Sequence, residues 1–179
     1  MALILNGDTG VTYPVIAGGT SALQSSAGKV LQVVSATKTD TFSTTSSSYV
    51  DVTGLTVSIT PTSSSSKILV LGSINYGASA DVGFFRLVRD STALQVGDAA
   101  GVRVQATGQM RNATDSADAD TASVLYLDSP ATTSSVTYKI QAASSPGGYT
   151  TRFNSSADDA NQTNRGRTAS SITVMEIAA

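Results

Sequence analysis

The chain has 179 residues, eleven Lys and Arg against thirteen Asp and Glu, and a net charge of −2, a length that suits one domain with an appendage. It holds no Cys and no His, which removes disulfide scaffolds, thiolate zinc sites, cysteine nucleophiles, the Ser-His-Asp triad and the commonest transition-metal ligand. Charged residues make up only 13%. Ser and Thr take their place at roughly 28% of the chain. The near-neutral balance offers no electrostatic footprint for nucleic acid, and no apolar run approaches the ~18 residues of a membrane span. The expectation is a β-rich, non-enzymatic domain without a cofactor.

Residues 1–28 stand apart. Met1-Ala2-Leu3-Ile4-Leu5-Asn6-Gly7 lacks the basic start and the apolar length of a signal peptide. The ending Met175-Glu176-Ile177-Ala178-Ala179 is no lipidation or sorting signal, so folding in a cytoplasm is expected. Two apolar pieces, Leu3–Leu5 and Val11–Ile16, flank Asn6-Gly7-Asp8-Thr9-Gly10, a turn signal. A small-residue linker follows to Gly28. A segment of this size cannot bury a core alone. Leu3, Ile4, Leu5, Val11, Tyr13, Val15 and Ile16 must therefore pack on the main domain, on copies of themselves or on a larger partner. An extra edge strand on the domain is the plain alternative to an anchor.

From residue 29 onward the pattern is period-two alternation. Val30–Ala36 opens the series. Val50 and Val52, then Leu55, Val57 and Ile59, alternate with polar residues, and the phase slips at Gly54, where a bulge or bend is expected. Pro61 ends that strand and Thr62–Ser66 make a polar turn. Ile68–Leu71, running on through Ile74 and Tyr76, reads as a central strand covered on both faces. Phe84–Val88 and Ala93–Val96 flank the turn Arg89–Thr92 as a hairpin. Val102, Val104 and Ala106 predict a half-exposed strand. Val124–Leu127, Val136–Ala142, Tyr149–Phe153 and Ile172–Ile177 complete the set. Nine or ten short strands, roughly, without βαβ alternation predict an all-β sandwich or barrel. Helix formers are scarce, with Glu176 the single Glu.

No constellation with defined chemistry emerges. Asp115, Asp118 and Asp120 bring carboxylates close in sequence, yet neither the Gly nor the distal Glu of an EF-hand loop is present, and a solvated loop explains them. Asp128 with Asp158 would be a hydrolytic carboxylate pair only if the fold joined them. Asn112, Asn154 and Asn161 match the glycosylation acceptor pattern, which arises by chance in so Ser/Thr-rich a chain. Arg86/Arg89 and Arg165/Arg167 are too sparse, and lack the interleaved aromatics, for a nucleic-acid face.

One ordered string of motifs carries more. Lys29-Val-Leu-Gln-Val-Val34, Thr37-Lys-Thr-Asp-Thr-Phe42, Asp51-Val-Thr-Gly-Leu-Thr-Val-Ser-Ile-Thr-Pro61, Ser66-Lys-Ile-Leu-Val70, Leu87-Val-Arg-Asp-Ser-Thr92, Val96-Gly-Asp-Ala-Ala-Gly101, Leu127-Asp-Ser-Pro130 and Ser171-Ile-Thr-Val-Met-Glu-Ile-Ala178 together resemble a domain of tailed-bacteriophage, notably marine-type, tail-fibre-like and other virion structural proteins. The match spans about residues 28 to 179, and Leu5-Asn-Gly-Asp-Thr-Gly-Val-Thr-Tyr-Pro14 looks like the short starts of such fibres. The resemblance implies an antiparallel jelly-roll-like β-sandwich head over 29–179, a homotrimer, and an N-terminal β-rich stem or virion anchor over 1–28. It brings no catalytic residue and no metal.

Two expectations follow. In the first, the chain is a trimeric fibre or spike held by residues 1–28 to tail or capsid proteins, in a virion assembled in the bacterial host cytoplasm. Its head then meets host surface polysaccharide through the polar stretches 109–120 and 154–167, with Asn112, Thr114, Asp115, Asn154, Asn161 and Arg165 as contact candidates. In the second, it is a capsid decoration protein that studs or stabilises the shell.

Overall fold

The structure, a computed structural model, describes residues 4–6, 10–12, 27–77, 82–111, 117–147 and 149–179, the first two of these stretches by their backbone. Among the described residues there is no helix. Strands β1 (Ile4–Asn6) and β2 (Gly10–Thr12) form an antiparallel hairpin, as the Asn6–Gly10 turn signal requires. They pair with each other, and among the described residues no ladder joins them to a strand of the main domain.

The main domain begins with β3 (Val30–Lys38), β4 (Phe42–Thr44), β5 (Val50–Ile59), β6 (Lys67–Gly77), β7 (Gly83–Arg89) and β8 (Thr92–Leu94). β9 (Gly108–Met110), β10 (Asp120–Asp128), β11 (Val136–Ser144), β12 (Thr151–Phe153) and β13 (Ser170–Ile177) complete it. Alternation in the sequence becomes alternation in burial. In β13, Ser170, Ile172, Val174 and Glu176 point in, and their odd-numbered neighbours are half-exposed. Gly54 takes φ 87°, and β11 shifts register against β5 between Lys139 and Gln141, where the phase slips in the sequence.

One sheet runs β3–β13–β6–β10, with β12 and β4 continuing beyond the end of β13 on the same side of β6. The other runs β5–β11–β7, whose free edge is shared by β8 and β9. Successive long strands alternate between the sheets, apart from the β7–β8 hairpin. This order, with all pairs antiparallel, is a jelly roll. The inward residues of both sheets meet in one core, including Val52, Leu55, Ile68, Val70, Ile74, Leu87, Tyr138, Ile140, Phe153, Ile172 and Val174. Phe42 meets Phe153 edge to face, with ring centroids 5.8 Å apart.

Three expectations need correction. Residues 102–106 are not a strand: Val102 is fully exposed and the stretch loops outward. The edge of β7 is already filled by β8 and β9, and between them Thr107 supplies the ladder, its N–H donating to Phe85 O and its Oγ1 accepting from Leu87 N–H. Tyr149 lies outside β12 and is exposed. Finally, β6 is central as expected, but the core covers only one of its faces, and Leu69 and Leu71 on the other are half-exposed.

Candidate functional surfaces

The jelly roll has two unlike ends. At the near end, Gly28 N–H donates to Ala178 O (2.7 Å) and Ala178 N–H to Lys29 O (2.9 Å), so the chain enters the domain beside its last strand. Ile177 pairs with Lys67 there, which puts the start of β6 and the turn 60–66 at this end as well. At the far end, Asp120 and Phe153 both register with Tyr76. Both polar stretches named from the sequence therefore border one end, opposite to where the chain enters. The two ends are separated by the eleven residues of β6, roughly 35 Å at ~3.3 Å per residue.

The far-end residues differ in accessibility. Asn154 is fully buried. Its Nδ2 donates to Lys38 O and Asp40 O (2.9 Å each) and its Oδ1 accepts from Ser170 Oγ (2.6 Å). It ties β12 to the β3–β4 corner and to β13, so it is a structural residue and is withdrawn from the contact candidates. Asn161 is exposed, together with Gln162, Thr163 and Asn164. Arg165 lies against Asp158, with Nη2 to Oδ2 at 2.7 Å and Nε to Oδ1 at 2.9 Å, and this guanidinium holds the Asp158 carboxyl well below the usual range. Arg167 pairs with Asp159 at 2.7 Å. These ion pairs brace the loop, with the Arg167 side chain itself 60% exposed, and the tip at Asn161–Asn164 presents amides and a hydroxyl. Asn112, Thr114 and Asp115 lie outside the described residues, as do Leu3, Tyr13, Val15 and Ile16, while Ile4, Leu5 and Val11 fall in the hairpin strands.

The buried carboxylates are occupied by the fold. Asp128 accepts from Arg89 Nη1 (2.6 Å) and Tyr138 OH (2.7 Å), clasping the two sheets together near the chain start. Burial, then the adjoining Asp128 carboxylate, pushes the Tyr138 hydroxyl's pKa up. Asp128 pairs with Ile68, whereas the 155–157 backbone lies against Gly77. Asp128 and Asp158 thus sit near opposite ends of β6, roughly 30 Å apart along it, and form no catalytic pair. Glu176 is fully buried and accepts from Gln32 Nε2 (2.6 Å), Thr62 N–H (2.7 Å) and Thr62 Oγ1 (2.7 Å). The buried Ser66 hydroxyl also faces this carboxylate, outside hydrogen-bond geometry. Burial alone would raise the Glu176 pKa, but these donors outweigh it and hold the group at about 2. Among the described residues no three His, Cys, Asp or Glu side chains converge as metal ligands.

The outer faces of the two sheets contrast. On the β5–β11–β7 face, Lys139 pairs with Asp51 (2.8 Å), Gln141 bonds both Asp51 and Arg86, and Arg86 stacks over Tyr49 at 4.1 Å from the ring centroid. On the β3–β13–β6–β10 face, strand register builds rows across four strands. Val33, Met175, Leu69 and Leu127 form one row. Ser35, Thr173, Leu71 and Leu125 form the next, and Thr37, Ser171, Ser73 and Ser123 the third. The face grades from apolar at the near end to hydroxyl at the far end.

No family model and no curated protein matches the sequence. Its fold is similar to chains in two solved structures of infectious bursal disease virus. With the Gt strain the TM-score is 0.46 at 15% identity over 99% of this chain, and with the Gx strain 0.42 at 13% identity over 99%. The chain spans 47% and 46% of those chains, about half their length.

Sequence reasoning missed the graded outer face. The apolar residues that make it, Leu69, Leu71, Leu125, Leu127 and Val33, lie on separate strands, and only their register joins them. The signal was present in the unbroken run Ile68–Leu71, which predicts cover on both sides.

Proposed function

We propose that the chain is a non-enzymatic structural protein of a bacteriophage virion. It is a homotrimeric fibre or spike, attached through residues 1–28 to other virion proteins of the tail or capsid, with its far-end loops meeting host surface polysaccharide. The carrying observation is the two-ended head: the chain enters at one end, at Gly28, and the candidate contact loops border the other. The resemblance of residues 28–179 to tailed-phage fibre-like domains supports the same reading, and a jelly roll is an architecture used in virions and in lectins. Of the described loop residues, Asn161 and Arg165 keep their place as glycan contacts, with Asn161 the freer of the two; Asn112, Thr114 and Asp115 complete the set from the sequence.

The test is deletion of residues 1–28. The shortened head is expected to keep a cooperative β-sheet unfolding transition while losing incorporation into particles. Incorporation at the full-length level would remove the anchor from the proposal. A second reading, shell decoration, draws support from the weakly charged, partly apolar sheet face, which suits lateral packing. It predicts that particles lacking the protein lose resistance to heat or low salt without losing adsorption to the host.

A further inference from the structure

We propose that the near-end half of the β3–β13–β6–β10 outer face is the surface through which copies of this chain meet one another. This names the contact of the homo-oligomer proposed above and rests on that reading for the existence of such an oligomer. Leu125 is 63% exposed, Val33 55% and Leu127 55%. They flank the half-buried Met175, Leu69 and Leu71 in adjoining rows, and Val30 and Leu31 extend the patch at the bulge opposite Ile177. Contiguous exposed apolar side chains across four strands are a patch, not scattered surface leucines.

Three observations select a second copy as the occupant. First, charge is kept off this face. Among the described residues of its four strands Lys67 is the one charged side chain facing out, and it turns to Ser129 Oγ at the corner (2.8 Å). All five described ion pairs lie elsewhere. With that one charge held at the corner, the face matches its own copy with little charge to strand in the contact, whereas a charged partner would bury one unpaired. Second, the run Ile68–Leu71 carries the composition of a strand buried on both sides, yet one side has no cover within a single chain. Third, the chain enters at this end, where Gly28 is bonded to Ala178. Copies meeting here bring their N-terminal segments together, and a hairpin of two three-residue strands needs such company to be stable.

The test is sedimentation of the full chain at micromolar concentration, comparing wild type with Val33→Lys/Leu125→Lys and with Ser123→Lys on the hydroxyl half of the same strand. Circular dichroism and thermal unfolding check that each variant folds, which the exposure of all three positions favours. The wild type is expected to sediment as an oligomer. The double variant should associate about a hundredfold more weakly, and Ser123→Lys should leave association within about threefold of wild type. A monomeric wild type overturns the inference, including the case in which removing residues 1–26 induces association, because the chain's own segment then covers the face. An oligomer of unchanged strength in the double variant also overturns it, because another surface then holds the copies. Membership of the virion is read from particles and stands or falls apart from these results.

Discussion

Asn154 sits at φ 60°, a left-handed conformation that Asn tolerates better than most residues, and all three of its side-chain hydrogen bonds are buried or partly so. Replacing it with Ala removes those bonds and leaves the Lys38 and Asp40 carbonyls and the Ser170 hydroxyl short of a partner. Asn154→Ala is expected to cost about 2–4 kcal/mol in denaturant unfolding. Asn154→Gly, which keeps the backbone conformation, should cost about 1 kcal/mol less. Glu176 gives a pH signature. Its folded pKa of about 2 lies below its ordinary 4.5, so its contribution is fully present above pH 4.5 and is lost as pH falls through 2. Glu176→Gln is expected to destabilise by about 1–3 kcal/mol at neutral pH, and the gap from wild type should close as both are titrated toward pH 2. A gap that persists there would show that the carboxylate charge is not what Gln32 and Thr62 hold. Neither role was legible in the sequence. Asn154 reads as a loop asparagine in a glycosylation pattern and Glu176 as a lone acid near a terminus, because burial of a polar side chain depends on partners distant in sequence, most of them here more than a hundred residues away.

At the scale of elements, alternation made most of the sandwich legible. β3, β5, β6, β7, β10, β11 and β13 fall where period-two runs stand, because each places one face on the core. Residues 102–106 show the limit. Val102, Val104 and Ala106 alternate like a strand, but pairing is a property of the neighbour, and the edge of β7 has no room left. Val102→Ser and Val104→Ser are therefore expected to change stability by less than about 0.5 kcal/mol, against the larger loss that a buried strand position would give. β4 and β9 escaped notice because three residues are too few to show a period. Gly77 marks the opposite case, a residue fixed by close approach. A Cβ there would come within 2.5 Å of Ser156 C and Ala157 N, both backbone atoms, so the 155–157 segment would have to move. Gly77→Ala is expected to cost about 2–4 kcal/mol and to loosen the far-end loop, read as faster amide exchange over residues 154–169.

As a whole molecule, the main domain joins a two-sheet core to two ends of different build. Asp128, Arg89 and Tyr138 clasp the sheets, and Glu176 closes the turn 60–66 onto the last strand, which braces the end where the chain enters. The far end carries the braced loop with Asn161–Asn164 exposed. Fold class was legible from the sequence because it rests on local pattern; the two-ended layout was not, because it needs the register that sets Asp120 and Phe153 beside Tyr76. The most direct measurement is the number of copies of this chain in purified particles of the proposed source phage. A virion structural protein is expected in every particle at a fixed number divisible by three, a few tens of copies or fewer for a tail-associated fibre and hundreds for shell decoration. Purified wild-type particles that hold no copy of the chain would contradict the account.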